Sequence, residues 1–183
     1  MNVYSEQIIY DIVNAYDCET AENKTNEFYK DAETMFCFFS HQTICLNYTL
    51  NLLRNENNKM AFYSMDTDNF HISNCPTGMI YTDEIVNNVK THYILMICTR
   101  PRFKNMGYAS IMLTEFIEYI QHQNEPGQTQ KIILSSLESA VTFYEKYGFR
   151  WTRNSITNYP ILMECEDIQN DNEEHFIMEL VVS

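Results

Sequence analysis

Between Tyr93 and Ile120 the chain reads YILMICTRPRFKNMGYASIMLTEFIEYI, a stretch that few architectures accommodate. Tyr93–Cys98 is a run of six apolar residues, short enough to be a strand covered on both faces. From Ala109 the apolar residues Ala109, Met112, Leu113, Phe116, Ile117 and Ile120 recur at helical spacing, with Thr114, Glu115, Glu118 and Gln121 on the opposite side. A strand followed by an amphipathic helix implies a sheet for that helix to lie on. The turn between them carries Arg100, Arg102 and Lys104, and Gly107 and Ala109 keep side-chain bulk away from the N–H groups that open the helix. Free N–H groups, a positive helix end and nearby cations suit a pyrophosphate. An ordinary strand-to-helix turn with solvated cations is the alternative on these residues alone.

The pattern then repeats in a second form over Lys131–Phe149, KIILSSLESAVTFYEKYGF. An apolar strand is followed by a short helix with Ala140, Phe143, Tyr144 and Tyr147 on one face, and Gly148 stands at the C-terminal stop.

In these two segments the sequence resembles the GNAT superfamily of acetyl-CoA-dependent N-acetyltransferases. The motif (Arg/Gln)-x-x-Gly-x-(Gly/Ala) appears as Lys104-Asn105-Met106-Gly107-Tyr108-Ala109, preceded by Pro101 and Phe103, with Lys in place of Arg or Gln. The motif Ala-x-x-x-Tyr-x-Lys-x-Gly-Phe appears without a gap as Ala140, Tyr144, Lys146, Gly148 and Phe149; the Asn that many members place seven residues before the Tyr is Leu137. The resemblance covers about residues 78–150. It implies an α/β fold of the α+β mixed-sheet kind, a GNAT-like acyl-CoA N-acyltransferase fold with a central, mostly antiparallel sheet and helices on both faces. It also implies that acetyl-CoA is the cosubstrate and that the acetyl group passes directly to an amine.

The resemblance carries roles for particular residues. The backbone around Ile97, Cys98 and Thr99 would hydrogen-bond the pantetheine arm and the thioester carbonyl. The N–H groups of Asn105, Met106, Gly107, Tyr108, Ala109 and Ser110 would hold the pyrophosphate, with Lys104 beside it. Tyr144 matches the family's usual donor to the departing thiolate; a phenol suits the role because it is protonated at neutral pH. The base that deprotonates the amine is less legible, because no carboxylate lies between Thr91 and Cys98. Asp83, Glu84 and His92 are the nearest candidates, with Glu84 preferred over His92.

Composition narrows the rest. A chain of 183 residues is long enough for one packed domain and short for two, so residues 1–183 are expected to form one N-acetyltransferase domain. A formal net charge of −13 argues against a nucleic-acid surface and favours a cationic acceptor, either a polyamine-like small molecule or a lysine side chain. The few cations concentrate in the turn and in the second motif, at Lys131, Lys146, Arg150 and Arg153, which fits a cofactor with three phosphates. No apolar run reaches membrane-spanning length, no secretory signal opens the chain, and six cysteines are scattered without a Cys-x-x-Cys pair, so a cytoplasmic enzyme with free thiols and no membrane partner is expected, as monomer or homodimer. A rival from another class is a non-catalytic acetyl-CoA-binding or protein-interaction module on the same fold.

Outside the motifs, residues 4–13 read as an opening edge strand and Glu27–Leu53 as one long helix or two. Cys37, His41 and Cys45 share a helical face, but a structural zinc site wants four ligands and no partner pair is nearby, so no metal is expected. Lys59–Met65, Asn69–Ser73 and Gly78–Glu84 read as short strands around a turn at Asp66–Asp68. Strands are also expected through Arg153 and over Phe176–Val182, with an irregular stretch broken by Pro160 between them. The acidic run Glu164–Glu174 is a solvated loop or a rim that gathers cationic amines.

Overall fold

The computed structural model describes residues 13–14, 34–38, 46–55, 57–65, 74–123, 128–165 and 174–183. Among them, seven strands form one sheet: β1 (Val13–Asn14), β2 (Lys59–Tyr63), β3 (Thr77–Val86), β4 (Val89–Thr99), β5 (Gln130–Leu137), β6 (Arg150–Trp151) and β7 (His175–Val182), ordered β1-β2-β3-β4-β5-β7-β6. Only the β4–β5 pair is parallel. The helices are α1 (Leu46–Arg54), α2 (Tyr108–His122), α3 (Glu138–Glu145) and α4 (Pro160–Cys165).

Sequence chemistry explains the pieces that frame the cleft. β3 and β4 form a hairpin whose two-residue turn, Asn87-Asn88, has φ of 50° and 63°; Asn tolerates the left-handed region at both central positions, which a hairpin of this length needs. α2 buries Met112, Leu113, Phe116 and Ile120 on Tyr81, Ile94, Ile132, Leu134 and Phe149. Each such side chain contributes about 2 kcal/mol relative to exposure. Tyr144 and the rest of the apolar face of α3 pack on the same cluster. The other face of the sheet carries α1, with Leu52 and Leu53 against Met60, Phe62 and Ile80, and α4, with Leu162 against Tyr93, Ile133 and Ile177. Helices thus cover both faces of a mostly antiparallel sheet.

Several elements differ from the sequence expectation. β4 runs from Val89 to Thr99, past both ends of the apolar run, because its ends are satisfied by pairing with β3. Pro160 opens a helix instead of breaking one, since its fixed φ and missing N–H suit a first helical position. The Glu27–Leu53 region contributes a π-helical turn at Thr34–Phe38 and α1, and the opening strand contributes Val13–Asn14 at the sheet edge. Residues 4–12, His41, Cys45, the 66–73 turn and strand, and residues 166–173 of the acidic run lie outside the described residues. No described helix is long and apolar enough to cross a membrane.

Candidate active site

The central feature is a single surplus residue in β4. Met96 lies opposite Ile80 and Ile94 opposite Tyr81, so Leu95 has no counterpart on β3. The side chains record this bulge: Tyr93 and Leu95 face the α1–α4 side, Met96 and Cys98 face it too, and Ile94 and Ile97 face α2. A bulge bends its strand and strengthens the local twist. The parallel ladder between β4 and β5 stops at the same point, with Ile94↔Leu134 as its last pair. Beyond it β5 stays with β7 as far as Leu137↔His175, while β4 stays with β3 as far as Thr99↔Thr77. The two central strands therefore part, and the β5-facing edge of Leu95–Thr99 carries no strand ladder. That edge includes Ile97, Cys98 and Thr99.

Polar contacts hold β4 on its β3 side. Thr77 Oγ1 donates to the Cys98 carbonyl at 2.7 Å, the Arg100 N–H donates to the Pro76 carbonyl at 2.8 Å, and Arg100 Nε donates to the Cys75 carbonyl at 2.8 Å. At the bulge, the Tyr48 hydroxyl of α1 donates to the Leu95 carbonyl at 3.1 Å. Arg100, grouped by sequence with the anion-binding cations, is thus turned to the β3 side as a clamp. Arg102 and Lys104 are exposed, with the Arg102 guanidinium 4.6 Å from the Phe103 ring centroid.

In the turn from β4 to α2 the N–H groups of Phe103, Lys104 and Met106 donate to the carbonyls of Arg100, Pro101 and Phe103, so the Met106 N–H expected to face the pyrophosphate is already engaged, and the open N–H groups are those at the start of the helix. Asn105 and Gly107 both take left-handed conformations, with φ of 63° and 88°, and Gly107 is the N-cap of α2 without a side-chain cap. The helix ladder begins with the Ile111 N–H on the Gly107 carbonyl at 3.0 Å, so the N–H groups of Tyr108, Ala109 and Ser110 precede any intrahelical partner. A Cβ on Gly107 would meet nothing within 4 Å. Open space, unsatisfied donors and two exposed cations fit the diphosphate of a coenzyme A. Phe103 and Tyr108 stack edge to face at 5.4 Å and fix the turn from the inside.

Tyr144 lies on α3, which follows directly after β5 has left β4. Its ring packs at 5.1 Å from Phe143 and 5.8 Å from Phe149, and its hydroxyl has no hydrogen-bond partner among the described residues. Burial pushes its phenol from 10.0 up to about 12. Glu84 and His92 lie elsewhere. Glu84 is opposite Thr91, four residues on the paired side of Leu95, which is about 13 Å along a strand. Its Oε1 accepts a 2.8 Å hydrogen bond from the Tyr93 hydroxyl, whose ionisation is pushed up by burial and then by that carboxylate. His92 is on the other face, edge-on to Phe116 at 6.3 Å, with Nε2 2.6 Å from Gln130 Oε1 and a buried, unpartnered Nδ1. Burial lowers its pKa. No hydrogen bond or ring contact joins Tyr144 to Glu84 or His92 among the described residues.

Tyr93 and Tyr48 were invisible to sequence reasoning as polar participants, because both sit in apolar runs. The second basic group also changes meaning: Lys131 Nζ is 3.1 Å from both Glu179 carboxylate oxygens, and Arg150 lies on β6 at the far edge of the sheet.

The model of the acetyltransferase (GNAT) family matches residues 15–149. No curated protein matches by sequence. Among solved structures, a chain of the NatC complex bound to Gag peptide and CoA is 14% identical with a TM-score of 0.60, over 97% of this chain and 99% of that one. Tetrahymena GCN5 is 13% identical with a TM-score of 0.60, over 88% and 92%. The ribosomal-protein-S18-alanine N-acetyltransferase of Escherichia coli is 13% identical with a TM-score of 0.54, over 86% and 90%.

Proposed function

The chain belongs to the acetyltransferase (GNAT) family, and from that premise we propose that it moves the acetyl group of acetyl-CoA directly to a primary amine held at the β4–β5 opening. The observation that carries the reading is the parting of β4 and β5 at Ile94 and Leu134, beside a helix N-terminus left open at Gly107. As a GNAT acetyltransferase the protein takes acetyl-CoA as cosubstrate.

In the proposed reaction the amine nitrogen attacks the thioester carbonyl carbon, and the developing oxyanion is stabilised by those backbone N–H groups along Ile97–Thr99 that point to the free edge of β4. Holding both substrates in one cleft supplies much of the rate. The C–S bond then breaks, and the sulfur leaves as a thiolate that accepts a hydrogen bond from the Tyr144 hydroxyl. The amine proton leaves to Glu84, whose carboxylate is oriented by the Tyr93 hydroxyl on the face opposite α2, through a chain of several waters, since Glu84 stands about 13 Å along the strand from the opening and out of reach of a single water. His92 is the poorer candidate, being sealed in the core with Nε2 occupied. Backbone donors of Asn105 and of Gly107 to Ser110, with Lys104 beside them, hold the diphosphate, while the Met106 N–H stays on the Phe103 carbonyl.

We take the acceptor to be cationic, a polyamine-like amine or a lysine side chain, because the chain carries 25 acidic residues against 12 basic ones. The enzyme is expected in the cytoplasm. The test is acetyl-CoA-dependent thiol release across polyamines, aminoglycosides, lysine peptides and peptides offering only a free N-terminus. Turnover confined to neutral or anionic acceptors overturns the acceptor class, and tight acetyl-CoA binding with no turnover on any amine favours the non-catalytic module.

A further inference from the structure

The parting of β4 and β5 leaves backbone groups of both kinds on one open edge, and only the donors among them can help an acyl group. The register sorts them. The Arg100 N–H sits on the Pro76 carbonyl at 2.8 Å, so along the antiparallel pair Met96, Cys98 and Arg100 direct their N–H and C=O groups to β3, while Ile97 and Thr99 direct theirs away from it. The C=O and N–H of one trans peptide point in opposite directions, so the Leu95 carbonyl, which shares its peptide with the Met96 N–H, also points away from β3. Leu95 comes after the last β4–β5 pair, Ile94↔Leu134, and no ladder with β5 satisfies its carbonyl. The open edge thus begins with an acceptor, and the next donor along it is the Ile97 N–H.

One side chain closes that acceptor. The Tyr48 hydroxyl donates to the Leu95 carbonyl at 3.1 Å. Tyr48 stands in the first turn of α1, one helical turn before Leu52, so the helix face that buries Leu52 against Met60, Phe62 and Ile80 also brings the phenol over the strand. Tyr48 and Leu95 both pack on that cluster. Leu95 is the surplus residue of the bulge, and a bond from α1 fixes a peptide plane that the β3 ladder does not hold on this side. The consequence is electrostatic. A bare carbonyl next to the Ile97 N–H would turn its negative end on the oxyanion that forms there, and away from bulk water such dipoles are weakly screened. With the phenol on it, the carbonyl is engaged and its direction is set.

We propose that Tyr48 is a positioning residue for acetyl transfer: by holding the Leu95 carbonyl it sets the open edge of β4 so that the acyl oxygen meets donors only. The inference rests on the proposed acetyl transfer, but its test needs no amine. Acetyl-CoA isotope-labelled at the acetyl carbonyl is bound to the full-length protein and to Tyr48→Phe, and the thioester C=O stretch is read by difference infrared spectroscopy. Donors on the acyl oxygen lower that frequency, so the parent should show a shift to lower wavenumber on binding, and Tyr48→Phe a shift about half as large or less. Phenylalanine keeps the ring in the cluster, so the variant should fold, with a Tm no more than about 4 °C lower. Acetyl-CoA affinity should stay within about twofold, because the diphosphate is held at the start of α2. Single-turnover transfer should fall about tenfold. A band in Tyr48→Phe at the parent's position overturns the proposal even where the Tm falls, because a hydrogen bond that only stabilised the fold would lower the Tm and leave the band alone. A parent that shows no shift on binding overturns it too. A parent that acetylates no amine yet loses its shift in Tyr48→Phe would sink the proposed reaction and uphold the role of Tyr48 at the acyl group.

Discussion

Tyr144→Phe separates a donor at the departing sulfur from an aromatic that only fills the core. The ring contacts to Phe143 and Phe149 survive the change, as do the hydrogen bonds that the Tyr144 carbonyl accepts from the Tyr147 and Phe149 N–H groups at 3.0 and 3.3 Å. The deleted hydroxyl has no partner among the described residues, and it is not among the buried polar atoms left without one, so its removal breaks no hydrogen bond of the fold and relieves no buried one. Folding should therefore be unchanged, with a Tm equal to the parent's. The effect on chemistry follows from the raised phenol. A group at about 12 facing a thiol of ordinary pKa, about 8.5, would surrender its proton at a cost of about 5 kcal/mol, so it serves as a hydrogen-bond donor to a thiolate that takes its proton from solvent. A hydrogen bond to a charged acceptor is worth about 1.5–3 kcal/mol, which converts to a fall in the transfer rate of about 10–150-fold. Single-turnover transfer should show that fall while acetyl-CoA affinity stays within about twofold, and steady-state rates will understate it if product release is slow. A folded variant with an unchanged single-turnover rate refutes the reasoning and leaves Tyr144 as a packing residue.

Gly107→Ala should cost about 1 kcal/mol of stability through the left-handed φ alone, a Tm loss of about 2–4 °C, because its Cβ meets no neighbour. Acetyl-CoA affinity should nevertheless fall more than about tenfold by calorimetry, since the new methyl occupies the approach to the helix N–H groups; an affinity unchanged beside the expected Tm loss removes the diphosphate from this turn. Glu84→Gln should lower kcat about 10²-fold at unchanged acetyl-CoA affinity, and a fully active variant excludes Glu84 as the base. Alkaline pH should destabilise the fold. Burial raises the Cys75 thiol from 9.0 to about 12 and the Tyr144 phenol from 10.0 to about 12, so the folded state holds protons that the unfolded state gives up. Their contribution is complete below pH 9 and is lost as pH rises from there through about 12. Urea midpoints should fall across that window, less steeply in Cys75→Ala; a flat profile contradicts the sign.

What the sequence made legible was whatever one periodicity could carry. The face of α2 could be read because Met112, Leu113, Phe116 and Ile120 follow a single helical repeat against a single neighbour. Gly107 was legible at the helix start as a residue that keeps bulk away from the N–H groups, whereas its positive φ was not read from the sequence. The bulge was not, because Ile94-Leu95-Met96-Ile97 is apolar throughout and no polar residue marks where the alternation slips. Pairings across the sheet were equally hidden. Neither Tyr93 with Glu84 nor Lys131 with Glu179 is close in sequence, and a cation reads as free for an anion until its carboxylate partner is placed. Arg100 shows the same limit: its charge was visible, its hydrogen bond to the Cys75 carbonyl was not.

Leu95 also works as an offset in a count. Upstream of it, the β4 side chains on the α2 side are even-numbered, as at His92 and Ile94; downstream, the residue on that side is the odd-numbered Ile97. Removing one residue at 95 would restore the simple alternation, keep every downstream side chain on its present face, and let β4 run straight. The chain would then lose the geometric reason for its central strands to diverge without losing an apolar core contact other than that of Leu95. Such a deletion would be a folded protein with a closed seam, in which the distinction between a sheet and a binding cleft comes down to whether the number of residues between Ile94 and Ile97 is two or one.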